Sequence, residues 1–320
     1  MTNQFDPADD AGPDGSDASD PVDAFDSTDP FAPPAEADLA GAPPSRGPRF
    51  LHATSARALA QPVPSAGWTP TAPDRDTLRN EMWLVLFVSI AASALKSLIS
   101  LVDSLTQGQS LASQSTTLVG TFVADRPWLD VLYQLTYTLL PLVPVLLVVH
   151  LLRRSGEGRQ AVGLDMRDWK RDVLKGAAIA IVIGSIGLVF YLFAYHMGWN
   201  VRIAAVTADR HWWTPLILVL SASYNAILEE VIVLAYFVHR TAQMGWKPWQ
   251  QVGSSALMRA AYHLYQGFGG FLGNLAMGTV FAILFRRWGR VMPFLWAHLF
   301  IDAGAFLGYY YLGGHVSWLP

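Results

Sequence analysis

Beyond residue 80 the chain is a succession of long apolar stretches, and no other feature of the sequence restricts its fold as strongly. Seven can be placed, over 82–102, 131–152, 176–197, 215–238, 250–266, 271–285 and 291–312. A helix needs about 20 apolar residues to cross a bilayer, so five of these match a membrane span and the fifth and sixth run short. Gly267, Gly269 and Gly270 separate the two short ones and Gly273 follows at the start of the second, as expected for a tight hairpin or a broken helix. Only 15% of the chain is charged, against about 25% in an ordinary soluble domain. The expected fold class is all-α, a polytopic transmembrane helix bundle of about seven spans in the cell membrane, with the lipid bilayer as its first partner.

Residues 1–80 read differently. The segment is rich in Asp, Ala, Pro and Gly, lacks apolar periodicity, and holds eleven acids before Leu39. Such a stretch buries too little surface to offset its ordering entropy, so it is expected to be a disordered, acidic and proline-rich cytoplasmic tail. Residues 81–320 are then the transmembrane domain. Neither a basic n-region nor an apolar h-region follows Met1. Nothing resembles a nucleic-acid footprint. The absence of cysteine excludes disulfides, thiolate metal sites and a cysteine nucleophile.

Basic residues in the connections set the expected orientation. The second-to-third connection holds Arg153, Arg154, Arg159, Arg167, Lys170, Arg171 and Lys175. The fourth-to-fifth holds Arg240 and Lys247, and the sixth-to-seventh Arg286, Arg287 and Arg290. These total twelve, against Arg126, Arg202 and Arg210 on the other side, so the positive-inside rule puts the twelve in the cytoplasm.

Against this apolar background the charges inside the spans stand out, because an ionisable side chain at the bilayer centre costs roughly 2.5–3.5 kcal/mol on insertion scales. From residue 131 onward there are four: Glu229 and Glu230 in the fourth span, Arg259 in the fifth and Asp302 in the seventh. His263 follows Arg259 by four residues and His298 precedes Asp302 by four, a spacing that puts each pair on one helical stripe. Counted from the basic ends, these residues lie about 10–20 Å deep and can meet at one level. Lys96 sits inside the first span and is expected to pack or snorkel. Asn225 and Asn274 are expected to make interhelical hydrogen bonds, and Ser254 and Ser255 to serve helix packing.

The ordered set Glu229-Glu230, Arg259 to His263 and His298-x-x-x-Asp302 resembles the EExxxR, FxxxH and Hxxx[ND] motifs of the CAAX protease and bacteriocin-processing (CPBP, or Abi) family of intramembrane proteases. The resemblance covers about 215–310. Two positions depart from the pattern: Leu234 stands where the first motif has Arg, and Arg259 where the second has Phe. We expect an exchange in which Arg259 supplies the missing charge from a neighbouring helix.

The resemblance implies an endopeptidase acting on a membrane-embedded or membrane-proximal peptide. Consecutive helical residues project about 100° apart, so Glu229 and Glu230 cannot face one point. By the resemblance Glu229 is the general base, His263 holds the same water or a metal, His298 suits the oxyanion, and Asp302 orients His298 or completes a metal site. Glu230 would lie behind, paired with Arg259. Three carboxylates against one Arg leave two negative charges, which a Zn²⁺ held by Glu229, His263 and His298 would cancel; a protonated carboxyl with a charged histidine would serve as well. Two competing readings are a catalytically silent scaffold or immunity-type protein of the same fold, and a transporter whose buried acids relay ions.

Overall fold

In a computed structural model, which describes residues 73–208, 210–313 and 315–316, helix dominates. Seven principal helices follow one another: α1 Arg75–Thr106, α2 Pro127–Arg154, α3 Trp169–His196, α4 Thr214–Gln243, α5 Pro248–Ala261, α6 Phe268–Trp288 and α7 Met292–Leu312. They fall on the seven apolar stretches. Residues 1–72, most of the expected tail, lie outside the described residues. The first helix starts ahead of its apolar run because the Asp74 side chain accepts from the Thr77 N–H at 2.8 Å, an N-cap that relieves one orphan donor.

Local sequence explains the main irregularities. Pro127 opens α2 at a position where a missing N–H costs nothing. Pro141 and Pro144 interrupt the same helix with a 3₁₀ turn at Leu140–Leu142. At Gly176, an added Cβ would lie 2.5 Å from the Trp296 Cβ, so only glycine lets α3 approach α7 this closely.

By length and composition five helices, α1 to α4 and α6, suffice to cross a membrane. The other two differ in kind. α5 has 14 residues, short of the roughly 20 required. α7 has 21 residues but carries His298, Asp302 and three consecutive tyrosines that lower its hydropathy. The chain is a membrane protein of several spans. α3 faces outward, with 6% of its most apolar window buried, whereas the corresponding figure for α4 is 50%, making α4 the central helix. The main core surrounds the second half of α4, where Val231 to Val238 are all buried, and includes Phe281, Phe285 and Phe294 from α6 and α7.

The basic connections gather at one end and are clamped there by ion pairs. Arg154 contacts Glu81, Arg240 meets Glu157 at 2.9 Å, and Arg290 meets Asp172 at 2.6 Å and Asp165 at 3.2 Å. Burial alone would raise the Glu157 carboxyl, but His239 at 3.0 Å and Arg240 outweigh it and hold it below the ordinary glutamate value. At the opposite end two short strands, β1 Ser115–Val119 and β2 Arg202–Val206, pair in parallel with Ser115 against Arg202. Sequence reading leaves both as loop. They pack on the ends of α4 and α7 through Val119, Val206, Leu218 and Phe306.

Candidate active site

The geometry of the site begins with a change in the helix that carries both glutamates. Directly after Glu229, α4 winds as a π-helix over Glu230–Tyr236, a rare conformation that occurs often at functional sites. Ser255 of α5 donates to the Val233 carbonyl at 2.8 Å inside this stretch, so the expected packing residue also stabilises the irregular turn.

Arg259 approaches from α5 and reaches both carboxylates. Its Nη1 donates to Glu229 Oε2 at 3.2 Å and its Nη2 to Glu230 Oε1 at 2.7 Å. Both Arg259 and Glu230 are buried, and Leu234 is 1% exposed within the apolar core. The guanidinium thus takes the position that the charge exchange requires. Gly278 on α6 leaves room for it, since an added Cβ would lie 3.2 Å from Arg259 Cδ.

Each glutamate has further partners. Tyr262 donates its hydroxyl to Glu229 Oε2 at 2.8 Å. With Oε2 so occupied, Oε1 is the oxygen that remains uncommitted among the described residues. Glu230 Oε1 also accepts from His298 Nδ1 at 2.6 Å, while its Oε2 is buried without a hydrogen bond. His298 Nε2 lies 3.5 Å from Asp302 Oδ2, and that oxygen accepts from Asn225 Nδ2 at 3.2 Å. Asn225 therefore makes the interhelical bond expected of it. Asn274 does not: it donates to the Gly270 carbonyl of its own helix at 3.0 Å.

His263 departs from its expected setting. α5 ends at Ala261, and Tyr262 and His263 form a turn leading to a 3₁₀ segment at Leu264–Gln266. The stripe with Arg259 survives only as a hydrogen bond, from His263 Nδ1–H to the Arg259 carbonyl at 2.9 Å. Since a carbonyl only accepts, this bond puts the proton on Nδ1 and leaves Nε2 its lone pair in the neutral ring.

A cavity of about 1040 Å³ adjoins these groups. Glu229, His263, His298 and Asp302 line it, whereas Glu230 and Arg259 stand behind its wall. All six residues singled out by spacing thus belong to one neighbourhood, and four of them meet the cavity. Lys96 is exposed on α1 and is not among the residues that line the cavity. Tyr262 was not legible in advance, because a tyrosine beside a helix end reads equally well as an interfacial anchor. The possible metal ligands also regroup. Glu229, Glu230 and His298 each bring a ligand atom within 4.8 Å of the others, rather than Glu229, His263 and His298.

No curated protein and no solved structure matches the sequence. Residues 211–304, which contain both glutamates, Arg259, both site histidines and Asp302, match the family model described as type II CAAX prenyl endopeptidase Rce1-like. The resemblance read from the motifs is thereby borne out: over residues 211–304 this multi-span membrane chain is similar to the Rce1-like family of the CAAX-protease kind.

Proposed function

We propose that the protein is an intramembrane endopeptidase of the cell membrane that hydrolyses a peptide bond at Glu229. The observation that supports this most is the division of the six residues between cavity wall and backing. Water enters the cavity, and the uncommitted Glu229 oxygen removes its proton as the water oxygen attacks the peptide carbonyl carbon. His263 Nε2 accepts the water's second hydrogen and orients it. His298 keeps its Nδ1–H on Glu230 and turns its Nε2–H, which lies a long 3.5 Å from Asp302, to the oxyanion. As the C–N bond breaks, Glu229 passes its proton to the leaving nitrogen, giving a free acid and a free amine. Arg259 and Tyr262 fix the position of the base, and Asn225 holds Asp302 against His298.

A second reading places Zn²⁺ among Glu229, Glu230 and His298, on the strength of their 4.8 Å grouping. We favour the glutamate-dependent reading because the cationic guanidinium already bonds both carboxylates. A divalent ion would have to sit against that charge or displace it. Cleavage of a membrane-embedded peptide library by the purified protein tests the proposal. Glu229→Gln is expected to lower turnover by about 10²- to 10⁴-fold, with expression and melting temperature near those of the parent. Full cleavage by Glu229→Gln rules the mechanism out, and a folded parent protein that cuts nothing in the library favours the silent scaffold. Chelation is expected to leave cleavage unchanged, and loss of activity reversed by added zinc would establish the metal reading instead.

A further inference from the structure

The cavity is one-sided along the membrane normal. α2 stops contributing to its wall at Thr138, α4 at Glu229 and α6 at Met277, while α3 and α7 begin contributing at Ala180 and His298. Every one of these boundaries leaves the part of the helix nearest the basic connections outside the cavity. The strand end supplies the remaining wall, through Leu118 and Ile203 and up to Leu312 and Val316. In the other direction the way is blocked. Val231 to Val238 are each no more than 1% exposed, and the Glu157–Arg240 and Asp172–Arg290 pairs close the end beyond them.

Water has a route from the same side. A second, polar recess of about 310 Å³, lined by Ser100, Asp103, Ser104 and Gln107, lies at the strand end of α1. Tyr265 lines both this recess and the large cavity, so the two share a wall at that residue. The large cavity is apolar along Ile181, Leu188, Phe300 and Phe306, carries its ionisable groups Glu229, His263, His298 and Asp302 at its floor, and has scattered neutral polar residues such as Gln134, Ser185 and Asn200 along its walls.

Lysine and arginine in short connections mark the cytoplasmic side of a membrane protein. We infer that this site is loaded from the opposite, extracytoplasmic face, and that its substrate class is an apolar peptide segment held in the outer leaflet. The identity of the occupant as a peptide rests on the endopeptidase reading; the direction of access does not. Glu229 lies 15 residues from Thr214, about 22 Å down the helix at 1.5 Å per residue. A folded soluble domain cannot reach that depth, whereas an extended segment sliding along the α3–α7 wall can.

The chain contains no cysteine, which allows single thiols to report access directly. Gly304 and Gly308 line the cavity, and a Cβ added at either meets nothing within 4 Å. Lys170 is exposed at the basic end of α3. A membrane-impermeant maleimide applied to intact cells is expected to modify Gly304→Cys and Gly308→Cys, while Lys170→Cys reacts only once the cytoplasmic face is opened. Reaction of the cavity thiols from the cytoplasmic face alone overturns the inference. So does reaction of Lys170→Cys from outside, or failure of both cavity thiols to react from outside in protein whose thiols react after denaturation in SDS. Labelling requires no turnover. A protein that labels as expected but cleaves nothing therefore loses the peptidase reading and keeps the direction of access, and cleavage with inverted labelling does the reverse.

Discussion

Replacing Arg259 with leucine tests the electrostatic logic of the site most severely. The guanidinium is 1% exposed and bonds two carboxylates, one of them on a fully buried residue. Removing one partner of a buried pair costs about 3–5 kcal/mol, because the remaining charge stays desolvated. Here two charges are affected, but unequally. Glu229 keeps the Tyr262 hydroxyl and 9% exposure; Glu230 keeps His298 but already has one buried oxygen without a partner. The loss therefore falls mainly on Glu230, and a cost of about 3–5 kcal/mol is a large part of the 5–15 kcal/mol that holds typical domains folded. Arg259→Leu should express poorly or unfold at lower temperature in detergent, and should be inactive. Leu234 lies in the π-helical turn directly after the two glutamates, so adding Leu234→Arg should restore part of both stability and cleavage. A normally expressed Arg259→Leu protein with parental melting temperature and activity would refute the reasoning.

Other perturbations separate neighbouring roles. Tyr262→Phe removes a hydrogen bond to a charged acceptor, worth about 1.5–3 kcal/mol, and should lower turnover less than Glu229→Gln does; unchanged turnover would mean that Arg259 alone positions the base. The Glu157 carboxyl is held below its ordinary value of 4.5 in the folded protein. Its contribution to stability is therefore complete above that value and lost as pH falls through the depressed one. A melting-temperature series against pH should accordingly drop more steeply in acid for the parent than for Glu157→Gln, and parallel curves would remove Glu157 from the account.

The sequence was most informative where hydrocarbon made polar residues costly. All seven helices fall on apolar runs, and the six residues chosen for their spacing lie together, because a buried charge without a partner is so unfavourable that each one implies another nearby. It was least informative where structure depends on contacts distant in the chain. The pairing of β1 with β2 joins residues 87 apart, as in Ser115 with Arg202, and nothing in either short segment specifies that partner. The end of α5 at Ala261 was also hidden, since Tyr262 to Gln266 continue an apolar pattern while His263 turns its Nδ1–H onto the last turn of the helix. Asn274 bonds within its own helix, an option every helical asparagine has and no spacing reveals.

Why two adjacent glutamates can differ so completely follows from the helix that holds them. An angle of about 100° between successive side chains already keeps both from facing the cavity. The π-helix that starts at Glu230 adds to this, because its wider i→i+5 turn shifts the faces of the following residues relative to those before it. Up to Glu229, α4 contributes Ser221, Tyr224 and Asn225 to the cavity wall; from Val231 to Val238 it contributes packed side chains to the apolar core. Glu230 stands at the junction, buried between Arg259 and His298, and joins the two halves electrostatically. The change from a solvated wall to a sealed core thus occurs between Glu229 and Val231. That boundary gives the cavity both its polar floor and its single direction of opening.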